Sequence, residues 1–200
     1  MGVKLNKGEL SRQREQLRLL ERLLPSLDLK RRQLTVQRDK ERSRLHDIED
    51  QLEDLRRHIA EELPMLADAT VDLTGLVRVA EVELGEENVV AVRLPRLAEV
   101  RFETGRYSAL ARPFWVDITM ERLQSACRLE LEVRIAKERM RRVDLAVRRV
   151  TQRVNLFERV LIPRARRSIS RIRLHLGEAE RAAVVQAKLS KGKRLRELVP

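Results

Sequence analysis

The sequence predicts a mainly α fold: a long antiparallel two-helix left-handed coiled coil formed by the N- and C-terminal segments, with a small β-hairpin-containing unit at one end. Three observations carry this. Segments 1–63 and 119–200 hold apolar residues at alternating steps of three and four, the heptad spacing that lays one narrow seam along a helix. The segment between them, 64–118, contains three of the seven glycines and three of the six prolines, with short alternating apolar runs. Aromatic residues are 2% and charged residues 37%, too little and too much respectively for a thick globular core, while an apolar set of mostly Leu, Val and Ala suits long helices.

The first helix is legible from Leu10. Leu17, Leu20, Leu24, Leu27, Leu34, Leu45, Ile48, Leu52, Leu55 and Ile59 share one heptad register. Arg31, Arg38 and Glu41 occupy seam positions in it. A charge there lowers stability; it either fixes register and pairing or snorkels out of a locally open seam. Pro25 removes one donor and crowds the preceding turn, which predicts a kink or a helix that begins again. Pro64 is expected to end this helix.

In the middle segment, Val89–Leu94 and Leu97–Phe102 read as short strands around a turn at Pro95-Arg96, and Val77–Leu84 alternates with period two as a possible further strand. Two or three strands are marginal alone, so the unit is expected to pack against the base of the helix pair. The second helix is expected to open at Asp117 or Thr119, either of which can accept the free N–H groups of a first turn.

In the last segment the seam is Val133, Ala136, Met140, Val143, Val147, Val150, Val154, Phe157 and Leu161, surrounded by arginine and lysine. A helix from Thr119 to Ser190 is about 105 Å long at about 1.5 Å per residue, against about 33 Å for the diameter of a compact chain of this size. Such a helix needs a partner for its seam, and the simplest partner is the first helix folded back antiparallel. A repeat near 3.5 residues predicts the left-handed supercoil. Beyond Leu161 the seam continues at Ala165, Ile169, Ile172 and Leu176, a step of four where three was due, with Pro163 at the shift. A local change of twist is expected there. Lys188 to Arg196 is basic and expected to fray.

The net charge of +12 is uneven: +4 over residues 1–60, −5 over 61–118 and +13 over 119–200. That suggests different partners along the molecule, or simply solvated helix faces. Cys127 is alone, which fits a reducing compartment and a small apolar filler. The N-terminus has no apolar leader region and no run of about 18 apolar residues exists, so neither a secretory signal nor a spanning segment is expected. Gly192-Lys193 lacks the glycine and hydroxyl residue of a phosphate-cradling loop, and His46, His58 and His175 lack the spacing of a metal site. A two-helix rod offers no cleft to shift a carboxylate pair. The chain is read as non-catalytic, with no cofactor.

One string is specific. Thr151-Gln152-Arg153-Val154-Asn155-Leu156-Phe157-Glu158-Arg159-Val160-Leu161-Ile162-Pro163 closely resembles the T-x-R-V-N-x-L-E-x-V-x-I-P string of the D-subunit family of V-type (archaeal/vacuolar-type) rotary ATPases. The likeness continues through Ile169, Ile172, Leu176 and Glu178 to Arg181, and through Leu17, Leu19, Arg22, Lys30, Arg31 and Leu34 upstream, with Val92–Leu97 matching the family's middle turn. Departures at Leu5-Asn6-Lys7, Leu23 and Pro25 resemble a divergent bacterial branch.

The resemblance implies a central rotor stalk that transmits torque between the catalytic head and the ion-translocating membrane ring. It implies as partners the catalytic A and regulatory B subunits of the head, the small F subunit of the stalk and the membrane-docking C/d subunit. A cytoplasmic place, peripheral on the inner face of the cell membrane, goes with it. Arg164, Arg166, Arg167, Arg171 and Arg173 are the candidate ring-facing residues. A basic coiled coil is alternatively a nucleic-acid- or membrane-surface-binding protein. Against this, the basic helix offers only Phe157 as a platform for bases, and no run of about 18 apolar residues exists, so neither nucleic acid nor membrane insertion is expected. A helical-hairpin stalk or chaperone of a secretion ATPase is the third reading, but such hairpins have only a short turn where this chain has a β-containing segment.

Overall fold

The computed structural model describes residues 4–62, 77–104 and 115–197. In order they form helix α1 (Lys7–Glu62), strands β1 (Val77–Val89) and β2 (Val92–Thr104), helix α2 (Trp115–Leu156), a π-helical turn (Phe157–Leu161) and helix α3 (Ile162–Glu197). Pro64 lies outside the described residues. Residues 1–30 with 150–200 make one compact unit and residues 31–149 another.

The start of α1 is capped as its sequence directs. The Asn6 side-chain oxygen accepts the Glu9 N–H at 2.7 Å and the Asn6 carbonyl accepts the Leu10 N–H at 3.1 Å, satisfying two of the first-turn donors. Glu9 sits in that first turn, where the helix dipole favours a negative charge. Donors from Gln13 and Arg12 hold its carboxyl below the usual range. Pro25 does not restart the helix: α1 runs through it as one element. The Ser26 hydroxyl donates to the Leu23 carbonyl at 2.8 Å beside it.

In the unit built from residues 1–30 and 150–200, α1 runs antiparallel to α3. Lys7 pairs with Glu180 at 3.8 Å and Glu21 with Arg166 at 2.8 Å, so a step forward on one helix is a step back on the other. Leu20, Val150, Val154, Ile162, Ala165, Ile169 and Ile172 are its buried residues. The spacing along this face is regular except at the π turn. From Val154 the next heptad positions are Phe157 and Leu161, which are half-buried; the buried residue is Ile162. From there Ala165, Ile169 and Ile172 follow at three, four and three. One residue has been inserted, and the π turn takes it up. The Ile162 N–H reaches back five residues to the Phe157 carbonyl. Pro163 follows at once. In a regular helix its ring would crowd the Arg159 carbonyl four residues back, and a widened turn relieves that.

In the unit of residues 31–149, α1 runs antiparallel to α2 along four ion pairs: Glu41–Arg139 at 2.7 Å, Glu49–Lys137 at 2.9 Å, Arg56–Glu130 at 3.5 Å and Glu62–Arg122 at 2.9 Å. Ile48 and Leu52 pack with Val133 and Ala136 between them. Asp117 and Thr119 are not the cap of α2. The helix already includes Trp115, and the buried Thr119 hydroxyl donates to the Trp115 carbonyl at 2.8 Å. Position 114 lies outside the described residues.

The two strands form one antiparallel hairpin, from Val77 opposite Thr104 to Val89 opposite Val92. The turn is therefore Val90-Ala91, not Pro95-Arg96, and Val77–Leu84 is the first part of β1, not a third strand. Val90 and Ala91 have φ of 51° and 61°. Two positive-φ residues are what a two-residue hairpin turn with the strands' own twist requires. Pro95 sits within β2 opposite Glu86, in a sheet whose two strands are both edges and tolerate a missing donor. Ala80 and Ala98 are each left over in the pairing and make bulges.

The hairpin runs alongside α2. At its base Val77 packs on Val116 and Met120; near its tip the Arg93 carbonyl accepts Arg142 at 3.1 Å. A strand of 13 residues extends about 43 Å at about 3.3 Å per residue, matching about 39 Å of helix from Val116 to Arg142 at about 1.5 Å per residue.

Candidate functional site

Sequence periodicity singles out one seam. Of its residues, Leu20, Leu34, Ile48, Leu52, Val133, Val143, Val150 and Val154 are buried. Leu17, Leu27, Leu45, Leu55, Ile59, Met140, Val147, Phe157 and Leu161 are half-buried. A two-helix contact covers only a stripe, so half-burial is its ordinary outcome.

The densest chemistry lies in the unit of residues 31–149, at a residue that periodicity does not single out. Arg139 is 3% exposed, as is Glu41. The Arg139 guanidinium donates from Nε to Glu41 Oε2 at 2.8 Å and from Nη2 to Oε1 at 2.7 Å, a bidentate fork. Its Nη1 donates to Glu87 Oε2 and to the Pro95 carbonyl, both at 3.1 Å. Gln37 Nε2 adds a 2.8 Å bond to Glu41 Oε1. Hydrogen bonding from Arg139 is the main cause holding the Glu41 carboxyl below its ordinary value, against the opposing effect of burial. The same bond raises the Arg139 pKa. One side chain on α2 thus holds α1, β1 and β2 together. Glu41, a charged seam position, is the sequence signal for it. With Ile48 packed against Val133 and Ala136, an antiparallel register brings Arg139 level with Glu41. Arg38, the neighbouring charged seam position, pairs instead with Asp39 at 2.9 Å.

A second cluster lies near it on α2. Glu138 receives Arg141 at 2.6 Å and Arg142 at 2.8 Å, and these donors lower its carboxyl pKa to about 2. Arg142 also reaches the Arg93 carbonyl, so it serves the hairpin as well as its own helix.

The basic face of α3 belongs to the other unit. Arg164, Arg166, Arg167, Arg171 and Arg173 are all exposed. Arg166 pairs with Glu21, and Arg167 Nε donates to the Pro163 carbonyl at 3.4 Å. Arg14 and Arg18 of α1 join Arg166 and Arg173 along an open groove floored by Leu17 and Ile169. Leu174, Val184, Val185 and Leu189 are exposed along α3. His46, His58 and His175 are exposed as well. Among the described residues, no helix is long and apolar enough to cross a membrane.

A family model for the D subunit of ATP synthase matches residues 9–192 of this chain. The chain is similar to the V-type ATP synthase D subunit of Borreliella burgdorferi, 33% identical over 194 residues, covering 94% of this chain and 93% of the relative. It is similar to the protein of the same name from Chlamydia abortus at 31% identity, covering 96% of this chain and 93% of the relative. With that from Chlamydia muridarum the identity is 30%, covering 96% and 95%.

Proposed function

The chain belongs to the ATP synthase D-subunit family, and from that premise we propose that it is the central rotor shaft of a V-type rotary ATPase/ATP synthase. It is a stalk component of the complex; as a shaft it transmits torque between the catalytic head and the ion-translocating ring and does no bond chemistry itself. Its partners in this reading are the A and B subunits of the head, the small F subunit of the stalk and the membrane-docking C/d subunit. Its place is peripheral, on the inner face of the cell membrane. The observation that carries the reading is the antiparallel pairing of N-terminal with C-terminal helix in both units, along ion pairs with a thin seam between. Two helices joined this way resist twisting better than one, and torque needs a stiff member.

A shaft must also turn inside its ring, which favours long-range charge attraction over interlocked apolar contacts. Arg164, Arg166, Arg167, Arg171 and Arg173 supply that on α3 in this reading, facing acidic loops of the head. Replacing all five by Gln in the assembled complex should lower torque or coupled ATP turnover. Unchanged torque and turnover would reject their role. The hairpin of β1 and β2 is assigned a modulating part together with the F subunit, and removing it should change the ATPase rate while the shaft still assembles.

A further inference from the structure

The hairpin is held to its helix pair at two separated places. At the base, Val77 packs on Val116 and Met120. Near the tip, Leu94 is fully buried, and the Pro95 and Arg93 carbonyls and the Glu87 carboxylate accept Arg139 and Arg142. Between them Arg78 to Leu84 are exposed, Leu84 at 57%. A two-stranded hairpin is marginal in water by itself, so its order depends on these attachments.

The tip attachment is not independent of how the helices pair. A guanidinium is planar and its donors point in fixed directions. Two of the three Arg139 nitrogens are committed to Glu41 on α1, and the third is shared between the two hairpin acceptors. Any slide or rotation of α1 against α2 that carries Glu41 along swings the guanidinium plane. That withdraws Nη1 from Glu87 and from the Pro95 carbonyl together. Glu87 is half-exposed and has water as a substitute partner, so the tip can let go; Glu41 is buried and does not have that option.

We infer that Arg139 makes the hairpin tip a latch, closed in one register of α1 against α2 and opened when that register shifts. The hairpin would then report helix slippage by exposing Leu94 and the tip strand edges. The latch concerns the isolated chain and stands apart from the shaft reading; only its use under torsion depends on that reading.

The test is amide hydrogen–deuterium exchange on the full chain, comparing peptides over residues 85–97 with helix peptides over 45–55 and 129–136. Glu41→Gln leaves both hairpin acceptors of Arg139 in place, yet it should speed exchange at the tip about tenfold more than at the helix peptides. Glu87→Gln, which meets Arg139 from the hairpin side, should speed it only about threefold, because that carboxylate is half-exposed and the Pro95 carbonyl still accepts. The double variant should match Glu41→Gln, because one latch is opened once. Tip exchange raised no more than helix exchange in Glu41→Gln, or a double variant equal to the product of the singles, would overturn the inference. If Glu41→Gln loses helicity by circular dichroism, Glu41→Asp keeps the charge, pulls the guanidinium back by one methylene and is judged by the same two outcomes.

Discussion

Arg139→Met leaves Glu41 buried, at 3% exposure, with Gln37 as its remaining donor. Removing one partner of a buried ion pair costs about 3–5 kcal/mol, because the other charge is stranded away from water. Gln37 keeps one bond, which places the expectation at the lower end, about 3 kcal/mol. The bond to Glu87 adds little, since that carboxylate is half-exposed. The stranded charge, not the lost attraction, dominates the loss. Arg139→Met combined with Glu41→Leu, which removes both charges and fills the space, should therefore return to within about 1 kcal/mol of the parent or exceed it. Urea unfolding of the full chain at pH 7, followed by far-ultraviolet circular dichroism, measures all three. A single variant within about 1 kcal/mol of the parent, or a double variant no better than the single, would refute the claim that desolvation governs this site.

Acid should act on the same pair. The folded Glu41 carboxyl lies below its ordinary value of 4.5, chiefly through Arg139. Its stabilisation is therefore complete above that value and is lost as pH falls through the lowered folded value. Thermal midpoints from pH 7 downward should show this, and Glu41→Gln should have a flatter acid limb. At the hairpin turn, Val90 and Ala91 hold positive φ, which costs an L residue about 1–2 kcal/mol each. Val90→Asn with Ala91→Gly should raise the thermal midpoint, and a fall would mean the turn is not of this type. Deleting Val160, exposed within the π turn, should close that turn into α-helix but set Pro163 against a carbonyl, at about 3 kcal/mol. Adding Pro163→Ala should recover that loss in the same melt. A deletion tolerated equally well with Pro163 in place would count against the insertion account.

The helices and the seam were legible because heptad spacing follows from helix geometry alone: Ile48, Leu52, Val133 and Val143 declare their burial by position. The shift after Leu161 was visible too, as a step of four and a proline. A π turn was not, since a step of four fits several local solutions and only the backbone chooses among them. The hairpin was legible as alternating apolar runs, but its turn was not. Pro95-Arg96 looks like a turn locally, whereas Val90-Ala91 carries no turn residues; pairing along the whole strands overrides local preference there. Glu41 announced itself as a charge in a seam. Its partner did not, because Arg139 is 98 positions away and is one arginine in a helix crowded with them. The exposed arginines of α3 carry no structural signal of their own, and only family likeness picks them out.

The single residue taken up at Phe157–Leu161 has a consequence for everything that follows it. Each residue of an α-helix advances about 100° around the axis. An uncompensated insertion would turn Ala165, Ile169 and Ile172 away from α1 and carry the arginines between them inward. The widened turn acts as a phase corrector that keeps the outward charge of α3 aimed where its own seam leaves room. Length changes in relatives of this chain should accordingly be tolerated near that turn and rejected in the regular helix on either side of it.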